Sequence, residues 1–423
     1  MQQSKRHTPW TWVPSLYFAE GLPYIIIITL SVVMYKQLGM GNAEVAYYTG
    51  WFYLPWLIKP LWSPFVDLLK TKRWWIVTMQ LLMGAGMAGI AFTLPMASYV
   101  QWTLAIFWLM AFSSGTHDVA ADGFYMLALN DGEQSFFVGI RSTFYRLATL
   151  AGQGGMLIAV DWLLHHYSNN PQQAWTMAFF AVSALFIAIG MYHVWLLPHP
   201  KNDTPRDFAT RDLLQQFAHT FITFFKKEGV VPALLFMLLF RFPEAQLGKM
   251  SIPFLMDPLS EGGLGLTLEE IGLIQGTLGP IGLMVGGILG GMCISRGGLK
   301  RWLWPMVWAI SLPDIVYVYL SYAQPSSLTI ISSCLFVEQL GYGFGFTAYM
   351  LFLIYYARGT HETAHYAIAT AFMATGMMLP GMLSGILQEW MGYKGFFVWI
   401  MACCAVTFVV SAFLKMDKDF GKK

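Results

Sequence analysis

Residues 174–197 read AWTMAFFAVSALFIAIGMYHVWLL, a run without an acidic residue, a lysine or an arginine. A bilayer core of roughly 30 Å is crossed by about 20 helical residues, and backbone polar groups in lipid must be satisfied within their own segment. This run therefore predicts a transmembrane helix. Working outward, similar runs lie near 12–36, 43–66, 74–97, 100–129 and 137–164 before it. After it they lie near 230–256, 269–294, 302–323, 328–357, 364–390 and 396–415. The expectation is an all-α membrane protein of twelve spans. Directly after 174–197, the stretch from Pro198 to Gly229 is polar, charged and proline-containing. It splits the chain into an N-terminal six-helix bundle (1–198), a cytoplasmic linker (199–229) and a C-terminal six-helix bundle (230–423). Within the linker Phe208, Leu213, Leu214, Phe217, Phe221 and Phe224 fall at helical spacing. Asp212 to Lys227 thus predicts an amphipathic helix on the membrane surface.

Composition agrees. The chain of 423 residues is 56% hydrophobic and 11% charged, against roughly 25% charged for a soluble domain. Too few charges remain to cover a water-facing surface. The net charge of +2, with no basic stripe outside short loops, excludes a nucleic-acid partner. The four cysteines, Cys293, Cys334, Cys403 and Cys404, all lie in apolar runs and imply neither a disulfide framework nor a metal set. The first apolar run follows Lys5 and Arg6, but it is long, lacks an A-x-A site and is followed by many more, so it reads as an uncleaved span. Of the 25 lysines and arginines, 18 fall in segments on one side, only Lys36 and Lys394 on the other, and 5 within spans. That asymmetry predicts cytoplasmic termini and an even number of spans.

The two halves form a weak repeat. Lys72-Arg73-Trp74 follows the second span and Lys300-Arg301-Trp302 the eighth; Phe18-Ala19-Glu20 in the first is echoed by Phe242-Pro243-Glu244 in the seventh. Two parallel halves of six spans are the layout of major facilitator transporters, whose substrate site lies near the midplane.

Ionisable residues inside a span are costly and usually face a cavity or a partner. The sharpest pair is Asp118 and Asp122, whose i,i+4 spacing puts both carboxylates on one helix face. Two such acids in a partly dry cavity resist joint ionisation, so one can take up and release a proton. The alternative is a static ion pair with Arg141 or Arg146 of the fifth span. Arg146, Thr149 and Gln153 share a face, and an arginine there suits a carboxylate or phosphate through its bidentate fork. Glu20 sits beside Gly21 and Pro23 in the first span, with Tyr17 and Tyr24 as candidate lining for a sugar or peptide path. Lys59 precedes Pro60 and either snorkels to the interface or faces the cavity. Arg241 and Glu244, three apart, are expected to pair. Glu338 and Tyr342 share a face of the tenth span. Gly282, Gly286 and Gly290 recur every four residues and predict a close-packing face. His361-Glu362-Thr363-Ala364-His365 matches the H-E-x-x-H pattern of zinc peptidases, without an evident third ligand.

The stretches Phe18-Ala19-Glu20-Gly21-Leu22-Pro23, Lys59-Pro60-Leu61-Trp62-Ser63-Pro64-Phe65-Val66-Asp67 and Asp118-Val119-Ala120-Ala121-Asp122 resemble the muropeptide permease (AmpG) family. That family belongs to the peptide/acetyl-CoA transporter group of the major facilitator superfamily. Tyr145-Arg146, Thr363-Ala364-His365-Tyr366-Ala367 and the segment from Gly385 to Phe397 add to it. The resemblance implies proton-coupled import of cell-wall sugar–peptide fragments across the inner membrane by alternating access, with no cofactor and no enzyme activity. The implied partners are solute, protons and lipid, around a monomer. Its functional aspartates carry over to Asp118 and Asp122, its lysine to Lys59 and its arginine to Arg146. The departures are His117 and His365 in place of glutamine, Glu20 in place of a small polar residue, and the seventh span with Arg241, Pro243 and Glu244. They leave open another bulky solute, such as a siderophore, a glycan or an acyl-CoA. A histidine beside Asp118 could also shift the working pH.

Overall fold

The computed structural model describes residues 8–204, 219–359, 362–417 and 420–421. Among these residues the secondary structure is helical, without strands, and besides the helical residues 219–225 it includes the following longer segments. They are α1 (Pro9–Gln37), α2 (42–69), α3 (Lys72–Thr93), α4 (Tyr99–Ala128), α5 (131–166), α6 (Pro171–Leu196), α7 (Val230–Met256), α8 (Leu268–Gly297), α9 (Leu299–Ala323), α10 (Leu328–Ala357), and the two arms α11 and α12 of Glu362–Ala412. That last helix of 51 residues turns at Gly392, whose φ of 65° and ψ of 170° are open to glycine. Straight, it would extend about 75 Å, far beyond a bilayer core. Nine helices among the described residues are long and apolar enough to cross a membrane, the α11–α12 unit counting as one. The two left out are α2 and α4, which carry Lys59 and the aspartate pair. Apolar exposure fits lipid contact: Met177, Leu185, Met191 and Trp195 of α6 all face outward.

The chain divides into two compact units, one of Met1–Leu38 with Ile58–Thr210, the other of Gly39–Leu57 with Arg211–Lys423. In the first, α3 packs on α4 and α6, and α1 on α5. Trp12, Tyr17, Ile76, Ala121 and Phe124 fill its core. In the second, α8 packs on α10 through the glycine stripe. A Cβ on Gly286 would stand 2.0 Å from the Leu340 carbonyl, and one on Gly343 2.1 Å from that of Leu283, so only glycine permits this approach. The first half of α2 belongs to this second unit because it lies on α11. There Asn42 Nδ2 donates to Gln388 Oε1 at 2.7 Å, with Asp257 Oδ2 and the Tyr393 hydroxyl at 3.1 and 3.0 Å.

Several helices are broken where chemistry is expected. In α7 the arms Val230–Leu239 and Phe242–Met256 meet at Arg241, whose φ/ψ of −100°/21° are not helical. Pro243 explains the break, since it lacks an N–H and its ring crowds the preceding turn. Wide π turns interrupt α1 at Ile26–Leu30, after Pro23, and α5 at Leu150–Gly155. Residues 205–218, which include the first part of the expected helix from Asp212 to Lys227, lie outside the described residues. Residues 219–225 are helical, and Phe224 is fully buried in the second unit, stacked on Phe372 and edge-on to Tyr356 and His365. Phe224 thus anchors this segment in protein, while Ile222 and Phe225 stay exposed.

Candidate functional site

The i,i+4 pair on α4 anchors a charged cluster inside the first unit. Asp118 Oδ2 accepts from the Lys59 ammonium of α2. Asp122 Oδ1 accepts from Arg141 Nη2 of α5 at 2.8 Å and from the Tyr17 hydroxyl of α1 at 3.2 Å. The Arg141 guanidinium lies 4.4 Å from the Tyr17 ring centroid and 5.2 Å from that of Tyr125. This aromatic bracket holds its planar fork toward Asp122. Glu20, one turn along α1 from Tyr17, is buried and brought against Asp118, and its Oε2 has no hydrogen-bond partner. Four helices therefore bring three carboxylates to two cations. The cluster is not sealed: the Asp122 side chain is 43% exposed and that of Arg141 29%.

A close helix approach sets this geometry. A Cβ on Gly21 would stand 2.8 Å from the Tyr145 carbonyl and 3.0 Å from the Ala148 Cβ. With glycine there, α1 and α5 touch backbone to backbone. One turn back along each lie Tyr17 and Arg141, which meet as ring and guanidinium.

Of the other expected residues, Arg146 is exposed and forms no ion pair among the described residues. Arg141 takes the acid instead. Gln153, in the π turn of α5, and Tyr24 are half-buried. His117 turns away from Asp118 and is fully buried between α3 and α6. Its Nε2 is 2.9 Å from the Gln80 amide nitrogen, the Gln80 Oε1 is 2.8 Å from His193 Nδ1, and His193 Nε2 is 2.9 Å from Ser15 Oγ. The amide turns its oxygen to one ring and its NH2 to the other, and the ring nitrogen facing the NH2 must accept, so at most one of the two imidazoles can carry a second proton. This chain ties helices together; its geometry does not aim His117 at the carboxylates.

The second unit holds a different set. Arg241 donates to the Tyr342 hydroxyl and lies 4.7 Å from the Phe346 ring centroid. The expected pair with Glu244 does not form among the described residues, because the break at Arg241 removes the helical i,i+3 register. Glu244 instead joins Asp314 of α9 and Glu338 of α10, with carboxylate oxygens all within 4.8 Å of one another. Gln339 Nε2 donates to Glu338 at 3.0 Å. Lys249 of α7 is buried and donates to Thr49 Oγ1 at 3.0 Å. Neither Asp314 nor Lys249 was among the residues expected to act. Lys249 had a signal: a cation deep in an apolar run with no acid three or four residues away.

Of the zinc pattern only the His365 side chain is among the described residues; that of Glu362 lies outside them. His361 lies outside the described residues. His365 is buried with Nε2 3.1 Å from Thr223 Oγ1 and 3.3 Å from the Thr220 carbonyl, its ring edge-on to Phe224. It fastens the segment 219–225 to α11.

Broken helices bearing buried charges, in two units, define a multi-pass membrane transporter. The chain belongs to the Major Facilitator Superfamily, whose model matches residues 15–366. It is 24% identical over 397 residues to the anhydromuropeptide permease of Escherichia coli strain K12, covering 92% of this chain and 76% of that one. Its fold is similar to that of a bacterial homologue of the human lysosomal transporter Spinster, with a TM-score of 0.73, 14% identity and 97% of each chain covered. The D-xylose–proton symporter gives a TM-score of 0.71 at 14% identity, over 98% of this chain and 99% of that one. Fold and family are those of transporters, which are not enzymes.

Proposed function

We propose that this protein imports an anhydromuropeptide-like sugar–peptide across the inner membrane by alternating access, driven by proton entry. The observation that carries the coupling is the count of charges in the first unit: Glu20, Asp118 and Asp122 face Lys59 and Arg141. With every group ionised, one negative charge is left over at bilayer depth, where an unpaired charge costs about 2.5–3.5 kcal/mol or more. One proton removes that excess. When it leaves, a carboxylate must find a cation or water, which favours a different arrangement of the ion pairs. Arg141, already bracketed by Tyr17 and Tyr125, is the group best able to exchange Asp122 for a solute carboxylate. The identity with an anhydromuropeptide permease supports the solute class.

The test is uptake of labelled anhydromuropeptide into proteoliposomes with and without an imposed inward proton gradient. The gradient is expected to drive accumulation above equilibrium. Equal uptake in both conditions would remove the coupling, and no uptake in either would remove the solute.

A further inference from the structure

Most cations at depth in this protein have a visible reason to be charged. Lys59 and Arg141 hold aspartates, and Arg241 holds a tyrosine hydroxyl and an aromatic face. Lys249 does not fit this pattern. It is 6% exposed, and no carboxylate of the described residues lies within ion-pair distance of it. Its ammonium donates to Thr49 Oγ1 at 3.0 Å and stands 5.4 Å from the Tyr53 ring centroid. An ammonium has three N–H donors, and the threonine takes one.

The surroundings look built for the charge. The Thr49 hydroxyl gives its own hydrogen to the Val45 carbonyl at 2.6 Å, so a lone pair faces Lys249. Gly381 gives the lysine stem room: a Cβ there would stand 3.1 Å from its Cγ. Every residue from Pro243 to Leu255 is buried except Gly248, where a Cβ would meet nothing within 4 Å. Gly248, about 100° around the helix from Lys249, is thus the exposed position next to the lysine in sequence. The buried acids described in the same unit lie away from the lysine. Asp257 accepts from Tyr393 at 2.6 Å, and Glu244, about 140° around the helix, lies with Asp314 and Glu338. A methionine would fill this space without burying a charge, so packing does not account for a lysine.

We propose that Lys249, with Thr49 and Tyr53, is the docking point for a carboxylate of the transported solute. A single ammonium with two free donors and one ring balances one negative charge. A phosphate dianion favours a planar fork or several cations. The proposal deepens the import reading and rests on it for the solute class, a peptide-bearing sugar with free carboxylates.

The test compares full-length wild type, Lys249→Met and Lys249→Arg. Each is titrated in detergent with anhydromuropeptide and with the same molecule amidated at its peptide carboxyls, and each is melted without solute. Wild type is expected to prefer the free acid. Lys249→Met should lose about 10- to 100-fold in affinity for the acid and under about threefold for the amide. Lys249→Arg should keep much of the preference. Losses equal for acid and amide, or none for either, would overturn the proposal. The melts decide the matter even if wild type binds neither form, a result that would defeat the sugar–peptide reading. A lysine held for a ligand rather than for the fold predicts a higher melting midpoint for Lys249→Met; a lower one overturns the docking role.

Discussion

The two units of this transporter treat charge in opposite ways. The first gathers the charges within its spans into direct contact: Lys59 on Asp118, Arg141 on Asp122, and Glu20 as the extra acid. The second keeps them apart. Three carboxylates cluster at Glu244, Asp314 and Glu338, while Lys249 stands on a threonine and a tyrosine ring. A paired cluster with one carboxylate too many responds to a proton. A lone cation with spare donors responds to an anion. The contrast suggests a division of labour, with the first unit reading the proton and exchanging Asp122 for one solute carboxylate at Arg141, and the second holding another carboxylate at Lys249.

The largest effect expected from this division is on Asp118. Asp118→Asn should lower gradient-driven uptake by about 100-fold, as for loss of a group on which proton transfer depends. Wild-type rates in this variant would break the comparison at its root. Next comes the choice of arginine. Arg141→Gln should cost uptake about 10- to 100-fold through its charge-assisted bonds. Arg146→Gln, at an exposed position, should cost under about threefold. The reverse order would return the anion role to Arg146.

A sharper test sets two lysines against each other. Lys59→Met strands Asp118 and should lower stability by about 1–3 kcal/mol, less than for a sealed pair because both side chains are partly exposed. Lys249→Met strands nothing. The two melting midpoints should therefore move in opposite directions in parallel thermal scans. A fall of similar size in both would erase the distinction between the units. The smallest effect is at Gly21. Gly21→Ala must push α1 from α5 by a few tenths of an ångström, since its Cβ would meet a backbone oxygen at 2.8 Å. Uptake should drop a few-fold, about 1 kcal/mol of misplacement at the Tyr17–Arg141 contact. An unchanged rate would mean that the bracket around Arg141 tolerates slack.

What the sequence disclosed follows from the physics of each feature. Helices that cross a bilayer announce themselves by length and apolarity, so 174–197 reappears as Pro171–Leu196 and 328–357 as Leu328–Ala357. The pair Asp118 and Asp122 was legible because i,i+4 spacing is a property of one helix. The identity of the partnering arginine was not. Arg141 and Arg146 lie on the same helix, and the selection depends on how Gly21 and Tyr145 bring α1 and α5 together. The Gln80–His117–His193 chain joins residues of α3, α4 and α6, a tertiary arrangement with no local trace. Arg241 and Glu244 invited a helical pairing that Pro243 destroys by breaking α7. Part of α2 groups with the second unit through Asn42, whose contacts with Gln388 and Tyr393 span more than 340 positions of sequence.

The most direct measurement is the proton movement itself. Proteoliposomes loaded with a pH-sensitive dye and given an inward anhydromuropeptide gradient, with no imposed proton gradient, should acidify inside as solute enters. Glu20→Gln and Asp118→Asn should each abolish that acidification. Solute entry at full rate with a flat dye signal in the wild type would contradict the claim that the unmatched carboxylate of the first unit carries the coupling proton.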